Sequence, residues 1–189
     1  MKKLLLLGAL VLMGGIAFAS DPEKESHGPS QAAADAMREA AGTDVAFLAA
    51  AMVKPLPSVS DLSTLLVYPT DTLSVVKLSG TQLRQALERS VSLAPLPSSA
   101  FLQISGLEVT YSKSAPADRR ITDVSVGAGK LENGKSYTVA MPTTLARGGL
   151  GYFKVWNKDA IVKTLDGTLE SFLKGKPGRN LGDRWITVN

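Results

Sequence analysis

Residues 101–153 read FLQISGLEVTYSKSAPADRRITDVSVGAGKLENGKSYTVAMPTTLARGGLGYF, and this stretch decides the fold. Three runs within it, at 107–111, 121–126 and 136–141, alternate apolar and polar residues. Alternation with β-branched and aromatic residues is typical of half-buried strands. The pair Asn133-Gly134, between the second and third runs, is a strong hairpin signal. The stretch therefore predicts an antiparallel meander of three strands.

The same stretch ends in a run of glycines, Gly148-Gly149-Leu150-Gly151-Tyr152. Glycines at this density indicate positive φ angles or a close approach of the backbone to another group. Such a geometry suits a binding loop, and a plain tight turn is the alternative.

The rest of the chain alternates helical and extended segments. Strands are predicted at residues 44–49, 73–78, 161–164 and 184–188, and helices at residues 31–41, 60–66, 80–91 and 168–173. Ser30 is the expected N-cap of the first helix and Gly42 its end. Trp156 and Trp185 are expected to pack in the core or at its edge. The sum predicts a single α+β domain with a mostly antiparallel or mixed sheet and helices packed against it.

Residues 1–19 have the pattern of a secretory signal peptide. Lys2 and Lys3 precede an apolar run that ends in Ala17-Phe18-Ala19, which is the form of a processing site. The alternative is a membrane anchor, but the run is short for a span of ~20 residues. We therefore expect a periplasmic or secreted protein that has no membrane contact after cleavage. Residues 20–30 are predicted to be a polar, solvated lead-in, and residues 31–189 the domain.

The charge balance and the side-chain inventory exclude several function classes. Of 21 basic and 17 acidic residues, two lysines lie in the predicted signal, which leaves 19 against 17, a formal +2. So small and scattered a charge does not indicate a nucleic-acid partner. The chain has no cysteine and one histidine, His27, which we expect at the surface. A single histidine cannot build a two-metal hydrolytic site, so the sequence predicts no metal, no cofactor and no catalytic residue.

Several blocks of the sequence carry a resemblance to a known family. They are FLQISGLEVTY at 101–111, YTVA at 137–140, the Gly-Gly-x-Gly-Tyr run, ADAMREAAG followed by DVAFL at 34–48, and LSGTQLRQALE at 78–88. The ordered set resembles the C-terminal, substrate-binding domain of the 5'-nucleotidase family. In that family a separate N-terminal domain holds two metal ions and performs the hydrolysis. The resemblance therefore implies a substrate-binding domain that stands alone, without the metallophosphoesterase domain.

The family's binding positions are only partly matched here. Ala49 stands where the resemblance implies a substrate-contacting Asn, and Lys54 stands in place of an Arg, without the planar fork that grips an oxyanion. Leu150 replaces the Asp placed for the ribose hydroxyls. Of two aromatic residues that sandwich the base, Phe101 matches one, and Thr144 stands at the other. The candidate substrate-binding residues are Lys54, Phe101, Gly148, Gly149, Gly151 and Tyr152.

Two candidate residues also have a structural interpretation. Phe101 opens a strand and suits the core, and Lys54 suits a solvated position beside prolines. Two functional hypotheses follow from the set. One is a secreted, non-catalytic domain with weak or altered binding of a nucleotide, a nucleoside or another small ligand. The alternative is an interaction module that completes a separate metallophosphoesterase chain in trans.

Overall fold

The computed structural model describes residues 20–179 and 181–188. The predicted signal peptide at residues 1–19 lies outside the described residues. Four α-helices are described: α1 (Gly28–Ala41), α2 (Gly80–Ser90), α3 (Thr143–Ala146) and α4 (Leu169–Leu173). The strands are β1 (Val45–Ala49), β2 (Thr72–Ser79), β3 (Leu102–Ser105), β4 (Leu107–Ser112), β5 (Ile121–Val126), β6 (Gly129–Lys130), β7 (Ser136–Pro142), β8 (Ile161–Thr168) and β9 (Trp185–Val188). Short 3-10 turns lie at Ala50–Met52, Leu62–Leu65, Gly149–Lys154 and Lys158–Ala160.

The strands form two mixed sheets. The first has the order β3-β1-β7-β2-β8, in which β1 and β7 run parallel and the other neighbours antiparallel. The second has the order β6-β5-β4-β9, in which β4 and β9 run parallel and the other neighbours antiparallel. Helix α1 packs on β1 and β3, whereas α2 contacts both β2 and β5 and so lies between the sheets. The predicted α+β class is confirmed.

The predicted meander is wrong in its third strand. The first two runs pair as the antiparallel strands β4 and β5. The third run, β7, instead lies in the first sheet between β1 and β2. The turn at 132–135 is used for this change of sheet, and the hairpin of β5 is closed earlier, by β6. The alternation predicted each strand correctly, but period-2 patterns carry no information about which sheet a strand joins.

Helix α2 has a start signal that the sequence displays directly. The Ser79 hydroxyl accepts a hydrogen bond from the Gln82 amide, and the Gln82 side chain accepts one from the Ser79 amide. This reciprocal pair is a capping box. The helix buries Leu83, Ala86 and Leu87, as its spacing predicted. By contrast, the helix predicted at residues 60–66 is a short 3-10 helix, Leu62–Leu65, and its cap is Asp61, whose carboxylate accepts from the Ser63 amide.

The lead-in is not solvated, which corrects a second prediction. Helix α1 begins at Gly28, so Ser30 lies inside its first turn and is not the N-cap. The Gln103 side chain accepts from the His27 amide and donates to the carbonyls of Pro22 and Glu25. The Ser26 hydroxyl accepts from the amides of Arg184 and Trp185 at 3.0 and 3.1 Å. These contacts attach the polar segment to both sheets, because its side chains satisfy buried backbone groups.

His27 is buried, not exposed as predicted. Its Nε2 lies 2.9 Å from the Leu56 carbonyl, and its Nδ1 lies 2.6 Å from the Ser30 hydroxyl. Because a carbonyl can only accept, Nε2 carries the proton and Nδ1 accepts from Ser30. Burial lowers the pKa of His27 below its ordinary value, and the Leu56 hydrogen bond and the charge of Asp21 offset part of this effect.

Candidate functional site

The candidate site lies at one end of the first sheet. Strands β1 and β7 are parallel, so their carboxyl ends meet at the same edge. The segment before β2 reaches this edge as well, since Leu73 lies opposite Pro142 in the antiparallel pair. In sheets with parallel strands, ligands bind where the carboxyl ends leave the sheet. The segments that follow β1 and β7 are therefore the ones placed to contact a ligand.

The run of residues 148–152, which we call the glycine loop, follows α3 directly. Gly148 has φ 91°, Gly151 has φ 83°, and Leu150 between them has φ 56°. A Cβ on Gly149 would lie 2.8 Å from the Thr144 carbonyl oxygen. The glycines thus supply both the positive φ angles and the close approach that the sequence predicted. Leu150 is the exception, a γ-branched residue held in the left-handed region.

Tyr152 anchors the glycine loop in the core. Its side chain has no exposed surface, its hydroxyl donates to the Ala100 carbonyl at 2.7 Å, and its ring stacks on Trp156 at 4.7 Å. Burial raises the pKa of the Tyr152 hydroxyl. The structure therefore places Tyr152 beneath the loop, where it supports the backbone and presents no face to a ligand.

Phe101 also lies in the core. This is the structural interpretation that its position at the start of a strand suggested as the alternative to a ligand contact. Its ring is 2% exposed and packs on Trp185 with a centroid distance of 5.0 Å. Its backbone carbonyl accepts from the Ala50 amide beside the end of β1, so only the main chain reaches the candidate site. Phe101 lines a cleft of about 230 Å³ between the lead-in and residues 91–98, and no residue of the glycine loop lines that cleft.

Lys54 is exposed beyond the end of β1, and its ammonium group donates to the Thr64 carbonyl at 3.0 Å. The three other positions where family residues are replaced lie around the same edge. Ala49 is fully buried, Leu150 is half-buried, and Thr144 is exposed with its amide donating to the Asp71 carboxylate at 3.2 Å. Neither Ala49 nor Leu150 carries a side-chain polar group that a ligand can bind.

Three further residues at this edge were missed by the sequence reasoning. Tyr68 and Phe153 are 55% and 64% exposed, which is unusual for large aromatic side chains. Tyr68 belongs to the turn that ends at Asp71, the residue that binds Thr144, and Phe153 follows the glycine loop directly. Arg89 of α2 donates from Nη2 to the Leu150 carbonyl at 2.8 Å. No signal in the sequence marks this contact, because its two partners lie 61 residues apart.

In the described ranges 20–179 and 181–188, no group of three or more His, Cys, Asp or Glu residues is arranged to hold a metal ion. His27 lies at the start of α1, and both of its ring nitrogens are engaged by Ser30 and Leu56. None of the helices in this part of the chain is long and apolar enough to cross a membrane.

Comparison with known proteins gives a consistent assignment. The family model described as "5'-nucleotidase, C-terminal domain" matches residues 14–157. A snake venom 5'-nucleotidase from Naja atra is 33% identical over 90 residues, which are 43% of this chain and 17% of that protein. The chain thus spans less than a fifth of the length of this relative.

Two solved structures share the fold. A 5'-nucleotidase precursor from Thermus thermophilus superposes with a TM-score of 0.71 at 23% identity, over 89% of this chain and 36% of that one. A putative 5'-nucleotidase from Staphylococcus aureus, solved in complex with alpha-ketoglutarate, gives 0.71 at 18% identity, over 91% of this chain and 38% of that one.

Proposed function

Because the chain belongs to the 5'-nucleotidase C-terminal domain family, we propose that it is a secreted, non-catalytic domain of that family, which binds a nucleotide or nucleoside weakly. The observation that carries the proposal is the contrast at the glycine loop. Its backbone has positive φ angles at Gly148, Leu150 and Gly151, as a tightly folded binding loop would, while its central side chain is the apolar Leu150. The scaffold of a binding site is retained without the polar groups that would bind tightly.

The loss of affinity can be scaled from the substituted positions. Relative to the family pattern, Ala49, Lys54 and Leu150 replace an Asn, an Arg and an Asp. A hydrogen bond to a charged group contributes ~1.5–3 kcal/mol and a neutral one ~1 kcal/mol. Even after a large discount for non-additivity, the deficit is several kcal/mol, or roughly a thousandfold in dissociation constant.

Residual affinity would come from the exposed aromatic rings at the edge. Stacking of a base on an aromatic side chain contributes ~1–3 kcal/mol. Tyr68 and Phe153 offer exposed ring faces, whereas the ring of Phe101 is buried. We expect calorimetric titration to give millimolar or weaker affinity for AMP and adenosine. We expect Tyr68→Ala to remove most of what binding remains; micromolar AMP binding that survives Tyr68→Ala would refute this site.

The absence of catalysis is a separate part of the proposal. A two-metal phosphohydrolase site needs several nitrogen and oxygen ligands within a few ångströms, and His27 is engaged in the fold. The purified chain with added divalent metal should release no phosphate from AMP above background. Steady phosphate release that a point substitution in this chain abolishes would contradict the proposal.

Export is proposed from the first 19 residues. N-terminal sequencing of the exported protein should begin at Ser20. An intact Met1 in a membrane fraction would overturn this part alone.

A second candidate function is docking on a metallophosphoesterase chain. The exposed pair Tyr68 and Phe153 favours it, because large aromatic side chains are enriched in protein interfaces. The test is co-purification with a purified metallophosphoesterase domain. Complex formation that Tyr68→Ala and Phe153→Ala weaken, without any AMP binding by the free chain, would favour this function over the first.

A further inference from the structure

We propose that Arg89 is a positioning residue of the candidate site. Its guanidinium group holds the glycine loop in the conformation that a ligand would contact, and its positive charge makes the site favour anionic ligand groups over neutral ones. The inference rests on the proposed function, because it assigns a role within the same site. The loop-positioning part can be tested without any ligand.

The contact joins two elements that are far apart in the chain. Arg89 lies in the last turn of α2, and its Nη2 donates to the Leu150 carbonyl, 61 residues later, at 2.8 Å. Leu150 is the residue that adopts φ 56° without being a glycine. A left-handed conformation costs a residue with a Cβ ~1–2 kcal/mol, so it persists only where other contacts hold it. The hydrogen bond from Arg89 is such a contact.

Gly151 makes room for the guanidinium group. A Cβ at Gly151 would lie 2.6 Å from Arg89 Nη2, 3.2 Å from Cζ and 3.3 Å from Nε. Three atoms of the planar group therefore lie against the Gly151 backbone. A Cβ at this position would have to displace the guanidinium group, and the φ of 83° favours glycine independently. The conformation of the glycine loop and the position of the Arg89 side chain therefore depend on each other.

Within the described residues, no carboxylate forms an ion pair with Arg89. Its buried Nε also has no hydrogen-bond partner in that part of the chain. The charge of this half-buried guanidinium group is therefore not neutralised by a salt bridge within those residues. Its positive potential instead acts at the loop, which the exposed Arg147 and Lys154 flank. This wall of the site therefore favours an anionic group over a neutral one.

Trp156 provides a readout of the loop itself. Tyr152 stacks on Trp156 with an interplanar angle of 11°, so displacement of the loop changes the environment of that indole. We compare Arg89→Met with Arg84→Met as the matched control. Arg84 is a half-buried arginine of the same helix, but it faces the second sheet, where its Nη1 lies 3.4 Å from the Ile121 carbonyl.

In Arg89→Met, amide hydrogen exchange of residues 149–153 should accelerate at least tenfold, and Trp156 emission should shift. Arg84→Met should change neither, and Arg89→Lys, which keeps one donor and the charge, should restore part of the protection. If Arg89→Met does not fold, Arg89→Lys and Arg89→Gln carry the same comparison. Unchanged loop exchange in a folded Arg89 variant would overturn the proposal.

A double substitution tests the packing against Gly151. Gly151→Ala should be more destabilising in the wild type, where the new Cβ displaces the guanidinium group, than in Arg89→Met, where only the φ strain remains. Equal effects in the two backgrounds would contradict the geometry.

Titration with AMP and adenosine tests the ligand preference. Arg89→Met should weaken AMP binding about tenfold and adenosine binding by a smaller factor, because adenosine loses only the ordered loop whereas AMP also loses the positive charge. If the loop loosens but the wild type binds neither compound, the proposed function fails while the positioning of the loop by Arg89 stands. If AMP and adenosine weaken equally, the preference for anions is overturned.

Discussion

Replacement of Phe101 distinguishes a core residue from a ligand platform. The ring is 2% exposed and lies in a cluster in which Trp185 packs on both Phe101, at 5.0 Å, and Tyr111, at 5.7 Å. Removing a buried phenyl ring costs ~3–5 kcal/mol, the sum of lost burial and of the cavity left behind. Against a total stability of ~5–15 kcal/mol, this is a large fraction. We therefore expect Phe101→Ala to be severely destabilised.

The assay is urea unfolding monitored by tryptophan emission, because Trp185 contacts the altered ring. The midpoint should fall with little change in the slope, as expected when only the stability of the folded state changes. Phe101→Leu fills most of the volume and should cost only ~1 kcal/mol. Phe153→Ala serves as the control, since a 64% exposed ring should change the free energy of unfolding by ~0.5 kcal/mol or less.

Ligand titration completes the comparison. Phe101→Leu should bind AMP as the wild type does, because Phe101 is only 2% exposed. A Phe101→Ala variant that loses less than ~1 kcal/mol of stability but loses AMP binding would refute the reasoning. That result would make the ring a ligand contact after all.

Three further outcomes are expected. The free energy of unfolding should fall as the pH drops below 6.5, the ordinary pKa of a histidine, because burial lowers the pKa of His27 and the unfolded chain then binds more protons than the folded one. In urea titrations between about pH 7 and pH 5, His27→Gln should flatten this dependence. An unchanged pH dependence would exclude His27 as its source. Tyr152→Phe leaves the buried Ala100 carbonyl without its donor and should cost ~1–3 kcal/mol in the same assay; a neutral effect would contradict the role of this hydrogen bond. Gly80→Ala places a Cβ 2.1 Å from the Glu132 carbonyl oxygen and should lower the melting temperature by many degrees, whereas Gly129→Ala meets no atom within 4 Å and should leave it nearly unchanged.

The elements of this fold could be predicted from the sequence because each carries a local signal. Alternation marked β4, β5 and β7, and helical spacing marked α2. The pairing of β7 with β1 and β2 could not be predicted in this way, since it depends on tertiary contacts between segments more than fifty residues apart. Asn133-Gly134 indicated a turn correctly but not the sheet in which the next strand would lie.

The lead-in shows the opposite limit. Its polar composition is typical of a solvated segment, yet Ser26 and His27 are buried. Their polar groups bind groups in other parts of the chain, and Gln103 binds three groups of the lead-in itself. Composition cannot predict such burial, because it depends on partners elsewhere in the chain that become visible only when the fold places them together.

At the candidate site, the residues that hold the loop in place differ from those that a ligand could contact. Tyr152 and Arg89 hold the glycine loop from below, through the Ala100 and Leu150 carbonyls, and neither contact involves a ligand. A glycine-rich loop is therefore explained here by the packing of α2 against the first sheet, whether or not anything binds above it. Leu150, the central side chain of the loop, is apolar and packs partly buried against the core. For this reason the glycines of residues 148–152 indicate the scaffold, and we propose that the exposed side chains of Tyr68 and Phe153 decide what it binds.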